Sequence, residues 1–452
     1  MKIRQFTFQS ELPVSLEDAF SWHLRKGALE RFLPPWSNVS LLFPPATPDQ
    51  EGGEVGFRLR CGPFSIQWIL EHREFIPDQE FSDVQVKGPF RQYRHRHHFE
   101  PSDPLSCKLT DEVAFATPFS IMDRRIEKEF TRMFAWRHAL LSDDLRTWDL
   151  YPREPQRILL SGASGFIGSS LKNFLQLCGH KVVRLVRRRD DVAEDSIFWD
   201  PSNGNFEKEH FEGFDAVIHL AGANLSQGRW SEKNKEQFFL SRCRDTWLLS
   251  QVLCRLYRPP KTVIAASAIG YYGNRGREIL TESSSQGQGF LADLCAKWEK
   301  ATDSIENRGA RVVHARFGAV LGAKGGMLQK ILPIFKWGLG GKLGTGQQMI
   351  SWIGIDDLIG GIYHTLMKDS LSGPVNLVAP QPLSQAEFSR ILAHKLKRPA
   401  FCNVPAWALK AVLGEMAEEM LLASQNVQPQ KLLESGYEFR YPDLSKALDF
   451  VI

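Results

Sequence analysis

The sequence predicts an α/β chain. A doubly wound parallel sheet stands at its centre, an α+β unit of antiparallel strands precedes it, and a small helical region follows. Three observations carry that expectation. Between residues 157 and about 318, short apolar runs alternate with long helical stretches, which argues a parallel sheet covered on both faces. A glycine-rich turn at 161–168 joins the first of those runs to a helix. Residues 1–150 instead show several extended stretches of mixed polarity before one long helix.

In the first unit Phe6-Thr7-Phe8 opens a strand. Ser15 then caps a helix, its hydroxyl taking an N–H of the first turn, with Asp18 three residues on. Pro34-Pro35-Trp36 ends that region. Stretches 56–60, 66–70, 81–86, 94–99 and 107–115 mix polar and apolar residues at roughly period two, punctuated by Gly62-Pro63 and Gly88-Pro89. A helix over about 124–140 places Ile126, Phe130, Phe134 and His138 on one stripe. The expectation is a sheet wrapped on that helix, with an apolar cavity between them. Trp22, Phe32, Trp36, Phe57, Trp68, Phe90 and Phe99 supply aromatic lining or plain core. His95, His97 and Arg60 are candidates for the few polar groups that orient a ligand. His95 and His97 share a strand face, but without a third partner they read as pocket or surface groups, and no metal site is expected. Residues 149–156, with Pro152 and Pro155, form the linker.

The central unit has candidate strands at 157–160, 181–186, 196–199, 216–220, 262–266 and 311–316, with helices over about 232–256 and 290–306. This is the pattern of a Rossmann unit. In its turn Gly162 allows the tight bend, Gly165 the approach of a pyrophosphate, and Gly168 close helix packing. The free N–H groups of the following helix would face the phosphates. An NAD site wants an acidic residue after the second strand; here Arg187 stands there, followed by Arg188 and Arg189. A guanidinium suits the 2′-phosphate of NADP, which is therefore the expected cofactor, although arginines also end strands simply as surface groups. His219, inside an apolar strand, reads as packing. Beyond it, the glycines of 338–346 form a loop, Ser384 caps a helix, and 407–422 carries an apolar face on which Met416 and Met420 pack. The expected domains are 1–150, 151–375 and 376–452.

Composition narrows the function classes. A chain of 452 residues with 43% hydrophobic and 24% charged residues is a globular protein of two or three domains. A net charge of +4, with no long basic face, disfavours nucleic acid as a partner. No run reaches membrane-spanning length and the opening lacks a signal peptide's apolar stretch, so a cytoplasmic location is expected. The seven scattered cysteines hold no Cys-x-x-Cys pair, which suggests neither a zinc cage nor a disulfide framework.

Residues 157–318 resemble an extended short-chain dehydrogenase/reductase (SDR). More closely, the chain resembles the atypical nucleoside-diphosphate-sugar epimerase-like family with a small C-terminal domain. The resemblance rests on 161–168, His219-Leu220-Ala221-Gly222-Ala223, 267–273, 316–322, 351–358, and the tail from 403–406 through 432–437. The first 150 residues resemble a START-like cyclase/dehydrase helix-grip domain, on Pro34-Pro35-Trp36, Gly88-Pro89-Phe90 and 95–99. The likeness implies NADP, with Ser164, Phe166 and Ile167 in the phosphate turn and Leu220, Ala221 and Gly222 along the adenine-to-nicotinamide path. It also implies Asn224, Arg229, Trp230, Lys336, Trp352 and Asp356 on the side of a small-molecule substrate, and an apolar ligand for the first domain.

The family pattern breaks at the chemistry. An ordinary SDR uses a serine and a Tyr-x-x-x-Lys pair, the tyrosine moving the hydroxyl proton and the lysine lowering its pKa. Here Phe290 and Leu294 stand in the two aligned positions. Lys297 lies one turn beyond. Ser267 is one residue before the usual serine, which falls on Ala268, and a register shift stays open. Tyr271 and Tyr272 follow the fifth strand and are candidates for the missing proton donor, or for packing. Arg242 could hold a phosphate or carboxylate, or be a solvated or salt-bridging helix residue. The readings are an NADP-dependent oxidoreductase or epimerase, a non-catalytic NADP-binding sensor, or a scaffold whose first domain holds an apolar molecule, which it could present to the nucleotide unit.

Overall fold

The computed structural model describes residues 3–201, 207–226 and 228–452, the Cys61 side chain excepted. The chain divides into two compact units, Met1–Glu154 with Gln176–Gly179, and Pro155–Leu175 with His180–Ile452.

The first unit is a curled antiparallel sheet gripping a helix. Its strands are β1 (Arg4–Leu12), β2 (Val39–Leu41), β3 (Glu54–Cys61), β4 (Phe64–Ile76), β5 (Glu80–Lys87), β6 (Gln92–Asp103) and β7 (Ser106–Ala116). They pair in the order β1-β7-β6-β5-β4-β3-β2. Alternation decides what faces inward: along β7 buried and half-buried residues alternate from Ser106 to Phe115. Register shifts between β4 and β5, such as the one between Ile69 and Leu70, bend the sheet. Helices α1 (Leu16–Leu24) and α2 (Ala28–Arg31) follow β1, and α3 (Asp123–Asp149) ends the unit. Ser15 caps α1 as expected, its hydroxyl accepting from the Asp18 N–H at 3.2 Å. Helix α3 runs past the expected end because Leu141, Leu145 and Trp148 continue its buried stripe. Phe130 and Phe134 pack on Phe6 and Phe115, where α3 crosses the sheet.

The second unit is a Rossmann sheet. Its first elements are β8 (Arg157–Ser161), α4 (Phe166–Leu177), β9 (Lys181–Val186), β10 (Ser196–Phe198) and β11 (Ala216–His219). Then come α5 (Glu232–Phe239), a π-helical turn (Leu240–Arg244), α6 (Asp245–Cys254), β12 (Thr262–Ala268) and α7 (Phe290–Lys300). Strands Arg311–Phe317 and Gly373–Leu377 complete a parallel sheet in which β10, β9 and β8 lie on one side of β11 and β12 and the last two strands on the other. Chain order therefore reverses between β8 and β11, and ligands bind at such a crevice. Val217, Ile218, Val263 and Ile264, buried on both faces, read as continuous apolar runs for that reason.

The tail differs from expectation at one point. The apolar face of 407–422 is not buried as a stripe: helix Ala406–Leu413 buries no residue, and Trp407 is 74% exposed. Gly414, at φ 62, ends the helix before the stripe is complete. Among the described residues no helix is long and apolar enough to cross a membrane.

Candidate active site

The turn between β8 and α4 is shaped by contacts that exclude side chains. Gly162 has φ 73, and a Cβ there would lie 2.9 Å from the Leu220 carbonyl carbon. A Cβ on Gly168 would come within 2.1 Å of the Gly162 oxygen. The Gly165 N–H closes the turn on that oxygen at 3.0 Å. Ser164 and Gly165 are exposed, and Phe166 and Ile167 half-buried. The Phe166 ring fills the space at Gly322 and Gly325, where a Cβ would meet it at 2.2 and 2.1 Å.

Below the turn, the Ser161 hydroxyl accepts the Leu220 and Ala221 N–H groups at 3.1 and 3.3 Å and donates to His219 Nδ1 at 2.6 Å. His219 Nε2 in turn meets Thr246 at 3.1 Å. Burial first, then the charge of Arg187, pushes the imidazole down to about 4, so it is neutral. His219 thus holds the Ser161 hydroxyl that fixes the path of residues 220 and 221.

Two arginines flank this path. Arg187 follows β9, is about half exposed, and its Nη2 reaches Asp245 at 3.3 Å. Asp245 also bonds Arg244, through its other carboxylate oxygen, at 2.8 Å. Arg242 lies on the π-helical turn between α5 and α6. Among the described residues it forms no salt bridge and is largely withdrawn from solvent: it is 8% exposed, and Nε and Nη1 have no hydrogen-bond partner there. Its guanidinium stands 5.1 Å from the Trp298 ring, and a Cβ on exposed Gly222 would lie 3.4 Å from its central carbon. Burial lowers its pKa to about 10, which still leaves a cation at neutral pH.

At the carboxyl ends of the strands, register sets Ser267, Arg316 and Asn376 side by side. The Ser267 hydroxyl donates to Glu299 at 2.7 Å, and Arg316 grips the same carboxylate through Nε and Nη2 at 2.8 and 2.7 Å. Arg316 Nη1 also donates to the Tyr272 oxygen at 2.9 Å, and Tyr272 donates to Asn376 Oδ1 at 2.7 Å. Tyr272 is fully buried, and burial above all pushes its hydroxyl up to about 12. Its hydroxyl is thus committed to the network. Tyr271 is half-buried, its ring 3.6 Å from the Arg316 guanidinium. Glu299 and Asn376 were missed from the sequence because only strand register and helix α7 bring them here.

Other expected residues are dispersed. Lys297 is exposed, its ammonium 5.8 Å from the Phe239 ring, because α7 turns that face outward. Leu294 is buried, and Phe290 packs edge-on against Trp230 at 5.3 Å. Asn224 and Arg229 lie exposed in the loop after β11, Asn224 bonded to Ser226 and Arg229 to the Ala411 carbonyl. Lys336 is exposed. Asp356 is buried. Trp352, expected beside a substrate, is instead closed inside a hydrophobic cluster with Leu332 and Phe388, its indole N–H on the Gln381 carbonyl at 3.0 Å.

The first unit contains a second candidate site, a cavity of about 430 Å³ between the sheet and α3. Phe57, Trp68 and Leu70 give it apolar walls, and His95 and His97 enter it, as strand alternation predicted. Arg60 does not: one residue out of phase with Leu59, it is exposed. The expectation that the histidines lack a third partner is also corrected, because β5 brings Asp83 beside them.

Fold and turn define a nucleotide-binding extended SDR unit joined to a helix-grip ligand-binding domain. Family models give the same division. Residues 158–377 match the NAD dependent epimerase/dehydratase family, 12–137 the polyketide cyclase/dehydrase and lipid transport family, and 404–451 a domain of unknown function. An epimerase family protein of Mycobacterium tuberculosis is 39% identical over 293 residues, covering 65% of this chain and 96% of that protein. A solved nucleoside-diphosphate sugar epimerase of Corynebacterium glutamicum is similar over 99% of this chain and 90% of its own, with 32% identity and a TM-score of 0.82. A human epimerase family protein, solved with NADPH, covers 65% of this chain and 98% of its own at 34% identity and a TM-score of 0.59. The chain belongs to the epimerase family.

Proposed function

We propose that the second unit binds NADP in preference to NAD and acts as an oxidoreductase or epimerase on a small anionic metabolite. The supporting observation is the glycine turn at the sheet's switch point, where Gly162 and Gly168 leave no room for side chains while Ser164 and Gly165 stay open to a ligand. Phe166, Ile167 and Gly168 would offer the first N–H groups of α4 to the pyrophosphate, with Gly165 leaving room for its approach. Arg187 would take the 2′-phosphate, leaving its weak contact with Asp245. Leu220, Ala221 and Gly222 would line the remaining path. The orphaned guanidinium of Arg242 would receive a carboxylate or phosphate beside Gly222. When bound, the cofactor supplies or accepts the hydride at a carbinol or carbonyl carbon. Tyr271 would give the oxygen its proton, its ring held in place against the Arg316 guanidinium. Ser267 and Tyr272 would hold that loop in place.

A second reading, a sensor that binds NADP without turnover, draws on Phe290 and Leu294, which supply neither proton nor charge where an SDR has them. One experiment separates the two. NADPH and NADH are titrated into the full chain by fluorescence, and NADPH oxidation is then followed across a panel of carboxylated and phosphorylated carbonyl compounds. Tighter NADPH binding with turnover of one compound class supports catalysis. Tight binding without turnover leaves the sensor. Equal affinities for the two nucleotides remove the NADP assignment.

A further inference from the structure

We propose that Asp83, His95 and His97 hold one divalent first-row transition-metal ion, with its remaining coordination positions open to the apolar cavity of the first unit. The sheet register creates the cluster. His72 on β4 pairs with Asp83 on β5, Asp83 pairs with His95 on β6, and His97 pairs with Asp111 on β7. One donor atom from each of Asp83, His95 and His97 lies within 4.8 Å of the other two.

The spacing suits coordination better than hydrogen bonding. His97 Nε2 stands 3.9 Å from Asp83 Oδ2, beyond a hydrogen bond. Metal–nitrogen and metal–oxygen bonds of about 2.1 Å place two donors about 3.4 Å apart at a tetrahedral angle and about 4.2 Å apart when opposed. His97 Nδ1 is 2.6 Å from Asp111 Oδ1, an ion-pair distance outside good hydrogen-bonding geometry, so Asp111 orients this ring from one side while Nε2 is left toward Asp83.

The surroundings are those of metal ligands. His72 Nδ1 is 2.6 Å from Asp83 Oδ1, which fixes one carboxylate oxygen and leaves the other toward His97. Asp111 lies 3.0 Å from His95 Nε2, the carboxylate partner that orients a ligating imidazole. Its second oxygen is held by His138 Nε2 at 2.6 Å. Two imidazoles and one carboxylate suit zinc, iron, cobalt or nickel rather than calcium or magnesium. With three protein ligands, the ion would keep open positions for an oxygen or nitrogen group of whatever occupies the cavity.

The test uses the full chain freed of metal with a chelator and titrated with Co²⁺, then Zn²⁺. The expected result is one equivalent of Co²⁺, visible d–d absorption, and its loss on adding Zn²⁺. His97→Gln and Asp83→Asn should each weaken binding at least tenfold, and His72→Gln, a positioning change, by roughly 10–100-fold. His210→Gln, at an exposed histidine of the other unit, should leave it unchanged. Circular dichroism checks that each variant is folded. Should a cavity variant fail to fold, paramagnetic shifts of the imidazole protons in the wild-type cobalt form decide the matter. The proposal is overturned if the chain takes up no equivalent, if the variants bind as wild type does, or if no such shifts appear.

Discussion

Burying guanidinium nitrogens without a partner costs stability, and Nε and Nη1 of Arg242 are in that position among the described residues. Such a group persists where a ligand completes it. Arg242→Met keeps most of the volume and removes the desolvation cost, so it should raise unfolding stability by about 1–4 kcal/mol while weakening the anionic ligand. Urea unfolding and ligand titration read the two effects, and a variant that is destabilised with binding intact would assign Arg242 a packing role. Arg187→Ala should cost about 1.5–3 kcal/mol in NADPH affinity and little in NADH affinity. At the chemistry, turnover should survive Phe290→Leu better than Tyr271→Phe or Ser267→Ala. If neither of those two lowers turnover, the proton donor lies outside this loop. Arg242 shows the limit of reading single residues: sequence identifies the cation, but only packing shows that two of its nitrogens are buried without a partner among the described residues.

At the scale of elements, the glycine turn was legible because three glycines between an apolar run and a helical stretch have few other uses. The structure separates their roles. A Cβ on Gly168 meets the Gly162 carbonyl at 2.1 Å, whereas on Gly165 the nearest atom is 3.2 Å away. Gly168→Ala should therefore destabilise the second unit by several kcal/mol or prevent its folding. Gly165→Ala should cost about 1 kcal/mol or less in stability yet weaken NADPH markedly, since the added methyl stands where a pyrophosphate would approach. Thermal melts with and without nucleotide separate the two. Equal loss of stability in both variants would mean the turn is built for packing alone. The π-helical turn and the early end of the helix at Gly414 were not legible. A periodicity of 3.6 runs through both, and the extra residue or the left-handed glycine shows only in the backbone.

For the whole molecule, composition and period separated an antiparallel unit from a parallel one, and the strands of both were largely placed. What the sequence hid was pairing. Asp83 and His95 are twelve residues apart in number but direct neighbours across two strands, and no local spacing announces a ligand set spread one strand at a time. The same register supplies most of the first unit's core from its own strands and helix, with Gln176–Gly179 added from later in the chain. Its aromatic core, formed by Tyr93, Phe115, Phe130 and Phe134, is drawn from the sheet and α3. The buried pair Arg31–Asp144, bonded at 2.7 and 2.9 Å, ties α2 to α3. The fragment 1–154 should therefore fold alone and unfold cooperatively, whereas a fragment ending at 140 loses Asp144, Leu145 and Trp148 and should not. With a cavity of about 430 Å³ walled by aromatic and aliphatic side chains, the folded fragment should bind a hydrophobic dye that apolar ligands displace. A fragment that folds but neither binds dye nor carries a molecule in native mass spectrometry would make this domain a structural or partner-binding module instead. The histidine and aspartate side chains beside the cavity then decide what kind of ligand enters, because an entirely apolar guest would leave them without partners of its own.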